Sequence, residues 1–154
     1  MTTLIIGVSV LVIYLAFCII KDKQVPPSIS ETFYLAGKWM FTFVMFAEAI
    51  LLSMSLIPMS PANWQWLAFV GSGALGFVGS APYFKDKFEH SVHYAGAITF
   101  AVGTQAWVAI VASPWVLLTF IPAAILALIF RKQWLFIGEI TCVINVIFGD
   151  LVLM

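Results

Sequence analysis

The sequence predicts an all-α protein that forms a single transmembrane domain of six spans, with both chain ends on the outer side of the membrane. Hydrophobic residues make up 63% of the 154 residues, and charged residues make up only 9%. A water-soluble domain typically has about 25% charged residues, so this chain has too few polar side chains to cover a surface in water. A helical bundle that faces lipid needs no such cover.

The positions of the basic residues predict how the spans are oriented. All seven fall into three short clusters separated by apolar stretches: Lys21, Lys23 and Lys38, then Lys85 and Lys87, then Arg131 and Lys132. Because cytoplasmic loops of membrane proteins collect Lys and Arg, the three clusters should lie on one side of the membrane. Each apolar stretch between two clusters must then cross an even number of times, and a single span at either end places both termini outside.

The first three spans follow from apolar length and from the proline positions. Residues 3–20 form the first span, close to the ~20 residues that cross a ~30 Å hydrocarbon core. Pro26 and Pro27 end that helix, and the run from Ser28 to Glu31 matches a capping box that begins the next one. This helix should start along the interface over about residues 28–38 and become the second span over 39–57. The third span is expected over 61–81.

The last three spans are expected over about residues 89–112, 114–130 and 133–153. The turn at Ser113-Pro114 is very short, as is the one around Pro61, where proline suits a first helical turn. Such short outer links force spans two and three, and spans four and five, into antiparallel hairpins.

Small residues predict where the helices pack most closely, because they let two helix backbones approach each other in lipid. Span three carries Ser72, Gly76 and Ser80 at intervals of four residues, and span four carries Gly96, Ala97 and Ala101. Packing within one chain is the expected use of both ridges. A homodimer face is the alternative.

Polar residues at membrane depth are the best candidates for function, because a central charge costs about 2.5–3.5 kcal/mol to insert. Glu48 should lie near the midplane in span two, and Glu139 about a third of the way across span six. Gln105 is expected toward the middle of span four. Asp150 shares the side of span six that carries Glu139 but lies closer to the outer surface, so we expect it to be solvated. A ligand or ion site is predicted among Glu48, Gln105 and Glu139; the structural alternative for Glu48 is a protonated carboxyl hydrogen-bonded to a neighbouring helix.

The start of span four adds a polar group at the inner interface. Glu89 and His93 are four residues apart, and His90 and His93 are three apart, so each pair shares one side of the helix. These side chains are predicted to form the inner mouth of the site, with interfacial hydrogen bonding or helix capping as the alternative. A zinc-type site with His90 and His93 as ligands, and a third ligand from Asp86, Glu89 or Glu139, is a further hypothesis. No other cofactor is predicted.

The run from Gly79 to Pro82, followed by Glu89-His90-Ser91-Val92-His93-Tyr94-Ala95-Gly96-Ala97, resembles a motif of small bacterial polytopic membrane proteins of uncharacterised function. More distantly it is similar to the six-span DRAM-like superfamily. The resemblance covers a short part of the chain and implies a six-helix architecture, with His93 and Gly96 as candidate positions. It implies no catalytic mechanism, and His90 is not expected from that pattern.

These observations give three functional hypotheses. The first is a non-enzymatic protein of the bacterial inner membrane that binds or conducts a small solute, ion or lipid. The second is a metal-dependent lipid hydrolase that uses the zinc-type site, and the third is a regulatory or assembly subunit of a larger membrane complex. Membrane lipids, a second copy of the chain or a membrane protein are the expected partners. Nucleic acid is not, because the basic residues are few and flank the spans.

Overall fold

The computed structural model describes residues 2–83 and 85–153, and within these ranges the chain is helical with no strand. The predicted all-α class is confirmed. The α-helices are α1 (Thr2–Asp22), α2 (Thr32–Ala36), α3 (Lys38–Met59), α4 (Gln65–Gly73), α5 (Leu75–Ser80), α6 (Lys87–Trp107), α7 (Phe120–Ile129) and α8 (Trp134–Val152). Helix α6 continues as a π-helical turn over Val108–Ala112, and 3-10 segments cover Pro114–Thr119 and Arg131–Gln133.

Four helical stretches among the described residues are long and apolar enough to cross a membrane: Thr2–Asp22, Lys38–Met59, Lys87–Ala112 and Arg131–Val152. They correspond to the first, second, fourth and sixth predicted spans. The chain is therefore a helical bundle with the character of a membrane protein. The segments predicted as the third and fifth spans are built differently.

The two remaining segments are shorter and irregular. The third segment is divided at Ala74 into α4 and α5, where the Phe77 N–H bonds to the Ala74 carbonyl in a tighter, three-residue turn. The fifth starts as the 3-10 segment after Pro114 and becomes α-helical at Phe120. Pro122 lies in the first turn of α7 and cannot donate a backbone hydrogen bond, which favours this late start.

The helix expected to begin at Ser28 is interrupted. The Glu31 N–H donates to Ser28 Oγ over 3.1 Å, as a capping box requires, but the Glu31 carboxylate pairs with Lys85 at 3.4 Å instead of reaching back. Helix α2 begins only at Thr32, and α3 begins after Gly37. Gly37 has φ +90°, a conformation that glycine adopts without strain.

Two apolar clusters hold the bundle together. In the first, Tyr14 of α1 packs with Phe41 and Met45 of α3 and with Val78 of α5. In the second, Leu4 near the start of α1 packs with residues that include Leu56, Trp107 and Val146. Along the chain, α1 packs on α3, α3 packs on α4 and α5, and these two pack on α6, while α7 packs on α8.

Close helix packing involves part of the predicted small-residue ridges. Ser72 of α4 is buried, and its hydroxyl hydrogen-bonds that of Ser53 in α3 at 2.7 Å. A Cβ atom added to Gly96 would lie 2.9 Å from Phe77 Cβ, so α5 and α6 meet there; one added to Gly76 would lie 3.6 Å from the Phe46 ring. Ser80 is exposed and donates to its own helix at the Phe77 carbonyl.

The closest backbone approach lies at a pair that the ridges do not include. A Cβ atom on Gly71 would lie 2.9 Å from the Gly103 carbonyl carbon, and one on Gly103 would lie 2.8 Å from Gly71 Cα. Helices α4 and α6 therefore cross with backbone against backbone. Only glycine fits at both positions.

The links that carry the three basic clusters meet at one end of the bundle, which we call the basic end. Lys85 pairs with Glu31, and Lys38 Nζ lies 5.2 Å from the centre of the Tyr83 ring. The Phe136 N–H, near the start of α8, donates to the Pro27 carbonyl over 3.0 Å. These contacts join the link with the first basic cluster to the link with the second basic cluster, and to α8, which follows the third basic cluster.

A candidate ligand cavity between α6 and α8

A cavity of about 480 Å³ opens between α6 and α8 at the basic end. Its wall on α6 includes His93, Ala97 and Ala101, and its wall on α8 includes Gly138 and Glu139. The link between α1 and α2, residues 27–31, closes the inner side. Ala97 and Ala101, predicted as packing residues, therefore line the cavity, and Ala97 also packs against the first apolar cluster.

Two hydrogen bonds from the link hold it against α8. Helix α1 ends at Asp22, where Lys23 adopts a left-handed conformation with φ +60°. Pro26 and Pro27 keep the following link from returning to a helix. The Pro27 carbonyl accepts from the Phe136 N–H, and the Ile29 N–H donates to Glu139 Oε2 over 2.5 Å. Glu139 therefore fixes the link that forms one wall of the cavity.

His93 fixes the same link from the opposite side. It is 2% exposed, with Nδ1 at 3.0 Å from the Ala81 carbonyl and Nε2 at 2.8 Å from Ser30 Oγ. A carbonyl oxygen can only accept, so Nδ1 carries the proton, and in the neutral ring Nε2 accepts from the Ser30 hydroxyl. His93 therefore joins α6, the chain after α5 and residues 27–31.

The other two predicted residues of the inner mouth lie outside the cavity wall. Glu89 Oε2 accepts from the Tyr83 N–H at 2.7 Å, so it closes the turn before α6. His90 is exposed and stacks on Tyr94 with ring centres 4.3 Å apart. These contacts correspond to the interfacial hydrogen-bonding alternative for Glu89, not to a ligand-binding role.

The zinc-type hypothesis gains no support from this geometry. Within residues 2–83 and 85–153, no group of three His, Cys, Asp or Glu side chains lies close enough together to hold a metal ion. Both His93 nitrogens are hydrogen-bonded to protein groups, and His90 stacks on Tyr94.

The cavity changes character along its length. At the basic end its lining includes the charged side chains of Glu31 and Lys132. Deeper in the bundle, Phe100 and Phe120 give it apolar walls. It opens sideways to the surface of the bundle, because Ile98 of α6 and Leu135 of α8 line it and are exposed.

Glu48 lies in a second, smaller cavity of about 40 Å³. The side chain is 3% exposed, and Oε1 has no hydrogen-bond partner among the residues that the structure describes. Gly7 of α1 makes room for it, since a Cβ atom there would lie 3.2 Å from Glu48 Oε2. The two cavities share the walls formed by Ile29, Met45, Leu75 and Phe100.

Gln105 belongs to neither cavity. Its Oε1 accepts from Asn145 Nδ2 at 2.7 Å, and its Nε2 donates to the Cys142 carbonyl at 3.2 Å. Asn145 also accepts from the Thr119 hydroxyl. This network ties α6 to α8 and to the 3-10 segment. The predicted trio of Glu48, Gln105 and Glu139 is thus divided among three places.

The expectation that Asp150 is solvated was wrong. Its side chain is 0% exposed, Oδ1 accepts from the Ser55 hydroxyl at 3.2 Å, and Oδ2 has no partner in the described part of the chain. Depth along the helix pointed to water, but this side of α8 faces inward, where Ser55 of α3 contacts Asp150. The sequence analysis also did not identify Ser30, Lys132 and Ser55 as site residues. One signal for Asp150 was present in the sequence, namely that it lies on the same side of α8 as Glu139.

Comparison with known proteins gives no relative from which a function could be transferred. No family model matches the chain, and no curated protein and no solved structure matches it. Its function is therefore inferred from its own residues.

Proposed function

We propose that the chain is a six-span protein of the bacterial inner membrane and that it binds a lipid in the cavity between α6 and α8. The length of the two irregular segments supports six spans. At about 2.0 Å per 3-10 residue and 1.5 Å per α-helical residue, Pro114–Ile129 reaches about 27 Å, close to a ~30 Å hydrocarbon core. Residues 65–80 of α4 and α5 reach about 24 Å on the same basis.

The orientation is proposed from the basic end. Cytoplasmic loops collect Lys and Arg, and the links that carry the three clusters meet at this end. It is therefore the cytoplasmic end. The start of α1 and the end of α8 would then lie outside, where Leu4 and Leu153 belong to the same apolar cluster.

The observation that carries the ligand proposal is the combination of charged and apolar walls in one laterally open cavity. Its volume of about 480 Å³ lies within the ~300–1,000 Å³ typical of small-molecule sites. A lipid enters from the side, between Ile98 and Leu135, without crossing water. Its acyl chain lies against Phe100 and Phe120, and its headgroup remains at the cytoplasmic interface.

The charges at the basic end favour a headgroup that carries both signs. Lys132 attracts a phosphate, whereas Glu31 accepts hydrogen bonds from an ammonium group. An aminophospholipid has both groups, separated by a short linker. We therefore expect phosphatidylethanolamine to bind in preference to phosphatidylglycerol.

Lipid retention in detergent tests this proposal. Ala97→Trp fills the cavity from its α6 wall, and Ala95→Trp places the same side chain two residues away on an exposed position of the same helix. Native mass spectrometry with added phosphatidylethanolamine should show a bound lipid on the wild type and on Ala95→Trp, and its loss on Ala97→Trp. Ala101→Trp provides a second cavity variant should the first unfold. Retention of the lipid by folded Ala97→Trp and Ala101→Trp proteins would exclude this cavity as the site.

A further inference from the structure

Two buried carboxyl groups, Glu48 and Asp150, and a partly buried one, Glu139, lie on the sides of α3 and α8 that face each other across the smaller cavity, which we call the seam. Glu139 lies at the basic end, Asp150 lies near the opposite end of the same helix, and Glu48 projects from α3 between them. Residues 139 and 150 are eleven apart, about 16 Å along a helix axis, and eleven steps of ~100° return to nearly the same side. Asp150 contacts Ser55, which lies two helical turns after Glu48 on α3.

The cavity of Glu48 lies along α8 between the two acidic residues of that helix. Its lining includes Val143, Val146 and Ile147, all of which fall between positions 139 and 150. Glu48 therefore occupies the middle of the series. The order from the basic end is Glu139, Glu48 and Asp150.

Two members of the series, Glu48 and Asp150, have an oxygen that no described protein group satisfies. Glu48 is 3% exposed and Asp150 is 0% exposed, and Glu48 Oε1 and Asp150 Oδ2 have no hydrogen-bond partner in the described residues. An unpaired polar atom at such depth costs free energy, so packing alone does not account for it. A carboxyl that picks up and passes on a proton needs such a free oxygen.

The titratable groups that surround each of the three carboxyls differ along the series. Within the described residues, Glu48 is the one titratable residue that lines its cavity. The other lining side chains are apolar and come from α1, α3, α5, α6, α8 and the link. Around Glu139, the larger cavity also presents Glu31, His93, Tyr94, Lys132 and Cys142. Asp150 faces Ser55 of α3.

The two ends of the series are in different positions with respect to water. Glu139 lines the large cavity, which opens at the basic end, whereas Asp150 is two residues from the end of α8 at Val152. The Glu48 cavity of about 40 Å³ exceeds the about 10–15 Å³ that a water molecule needs, and Glu48 supplies the polar partner there, since the other lining residues are apolar. Ile29, Met45, Leu75 and Phe100 form an apolar partition between the two cavities, so transfer across it requires these side chains to move.

We propose that Glu139, Glu48 and Asp150 form a path that carries protons across the membrane along the seam of α3 and α8. A proton from water on the basic side binds the Glu139 carboxylate. It passes through an intervening water to the Glu48 carboxylate, and Glu139 becomes a carboxylate again. Glu48 then gives it through a second intervening water to Asp150, whose Oδ1 is held by Ser55, and Asp150 releases it to water at the opposite side. One proton enters and one leaves, and each carboxyl returns to its first state.

Proton uptake by liposomes tests this path; it shares the six-span topology with the proposed function but does not depend on the lipid. Vesicles loaded with potassium and a pH-sensitive dye are treated with valinomycin to create an inside-negative potential. Wild-type protein should acidify the lumen faster than protein-free vesicles do, and Glu48→Gln should lose this excess. Glu89→Gln, which removes a carboxylate away from the seam, should behave like the wild type. Wild-type uptake at the protein-free rate, or full uptake by Glu48→Gln, would overturn the proposal.

A hydrophobic carbodiimide tests the wild-type protein and so avoids any folding defect of a variant. The reagent modifies protonated carboxyls in apolar surroundings, and mass spectrometry locates the adduct. We expect an adduct on Glu48 together with loss of proton uptake. Uptake that persists after Glu48 is modified, or uptake lost with adducts only outside Glu139, Glu48 and Asp150, contradicts the path. Glu48→Gln should keep the bound lipid, since Glu48 does not line the larger cavity, so failure of one proposal is distinguishable from failure of the other.

Discussion

Helices α6 and α8 meet in opposite ways at the two ends of their contact. Away from the basic end, Gln105 and Asn145 bridge them at 2.7 Å, and a Cβ atom on Gly149 would lie 3.1 Å from the Trp107 ring. At the basic end the same helices separate around a cavity of about 480 Å³. One pair of helices therefore has a closed half and an open half.

The difference between the halves separates structural from functional polar residues. In the closed half, both the oxygen and the nitrogen of the Gln105 amide find partners, so its polarity serves packing. In the open half and along the seam, Lys132 faces space, and Glu48 retains an unpaired oxygen. A polar residue at membrane depth points to function when the surrounding fold leaves it unsatisfied.

The largest effect is expected beside the closed half, where α4 crosses α6 with backbone against backbone. Gly71→Ala places a Cβ atom 2.9 Å from backbone atoms of α6, which cannot rotate away. We expect a loss in free energy of unfolding at or above the upper end of the about 1–3 kcal/mol typical of overpacked sites. Gly73→Ala on the same helix meets nothing within 4 Å and is the control. Detergent unfolding curves in which the two variants coincide would show that α4 and α6 do not cross here.

A smaller effect is expected from the hydrogen-bond network of the closed half. Asn145→Leu leaves Gln105 Oε1 and the Thr119 hydroxyl without their bonds to Asn145. We expect the free energy of unfolding to fall by about 1–2 kcal/mol, the range for losing such bonds in proteins and membranes. Lipid binding should be unchanged, because Asn145 does not line the larger cavity.

A double variant sharpens this test. Adding Gln105→Leu to Asn145→Leu removes both partners of the bridge, so the combined loss should be less than the sum of the two single losses. Strictly additive losses would mean that the two amides act independently and that the closed half is held by apolar packing alone.

The long helices could be predicted from the sequence because apolar length and basic clusters are properties of the chain alone. The interruptions at Gly37 and Ala74 could not, since each depends on how a short segment packs on α3 or α6. The predicted six spans and their orientation stay a prediction supported by helix lengths and by the meeting of the basic links.

The site was harder to predict than the helices. His93 was expected at the inner interface and Glu139 about a third of the way across span six, and the structure brings both to one cavity. Periodicity does not show which side of a nearly uniform apolar helix faces which neighbour. The sequence analysis therefore placed Gln105 and Glu48 in one site, although Gln105 has a structural role and Glu48 lines a cavity. Asp150 was misplaced for the same reason: depth was counted along α8, but burial depends on which side of α8 faces the interior, where Ser55 of α3 contacts Asp150.

The smallest effect is expected at the rim of the open half. Lys132→Gln removes the cation that we assign to the lipid phosphate, and a basic residue near a membrane surface contributes about 1 kcal/mol, or about fivefold in affinity. Lys87→Gln removes an exposed charge near the same end but away from the cavity lining. Titration of phosphatidylethanolamine in nanodiscs should show weaker binding to Lys132→Gln only, with a difference that shrinks as salt is added. Equal weakening in both variants would mean that the basic end attracts lipid through its overall charge and that the cavity does not select the headgroup.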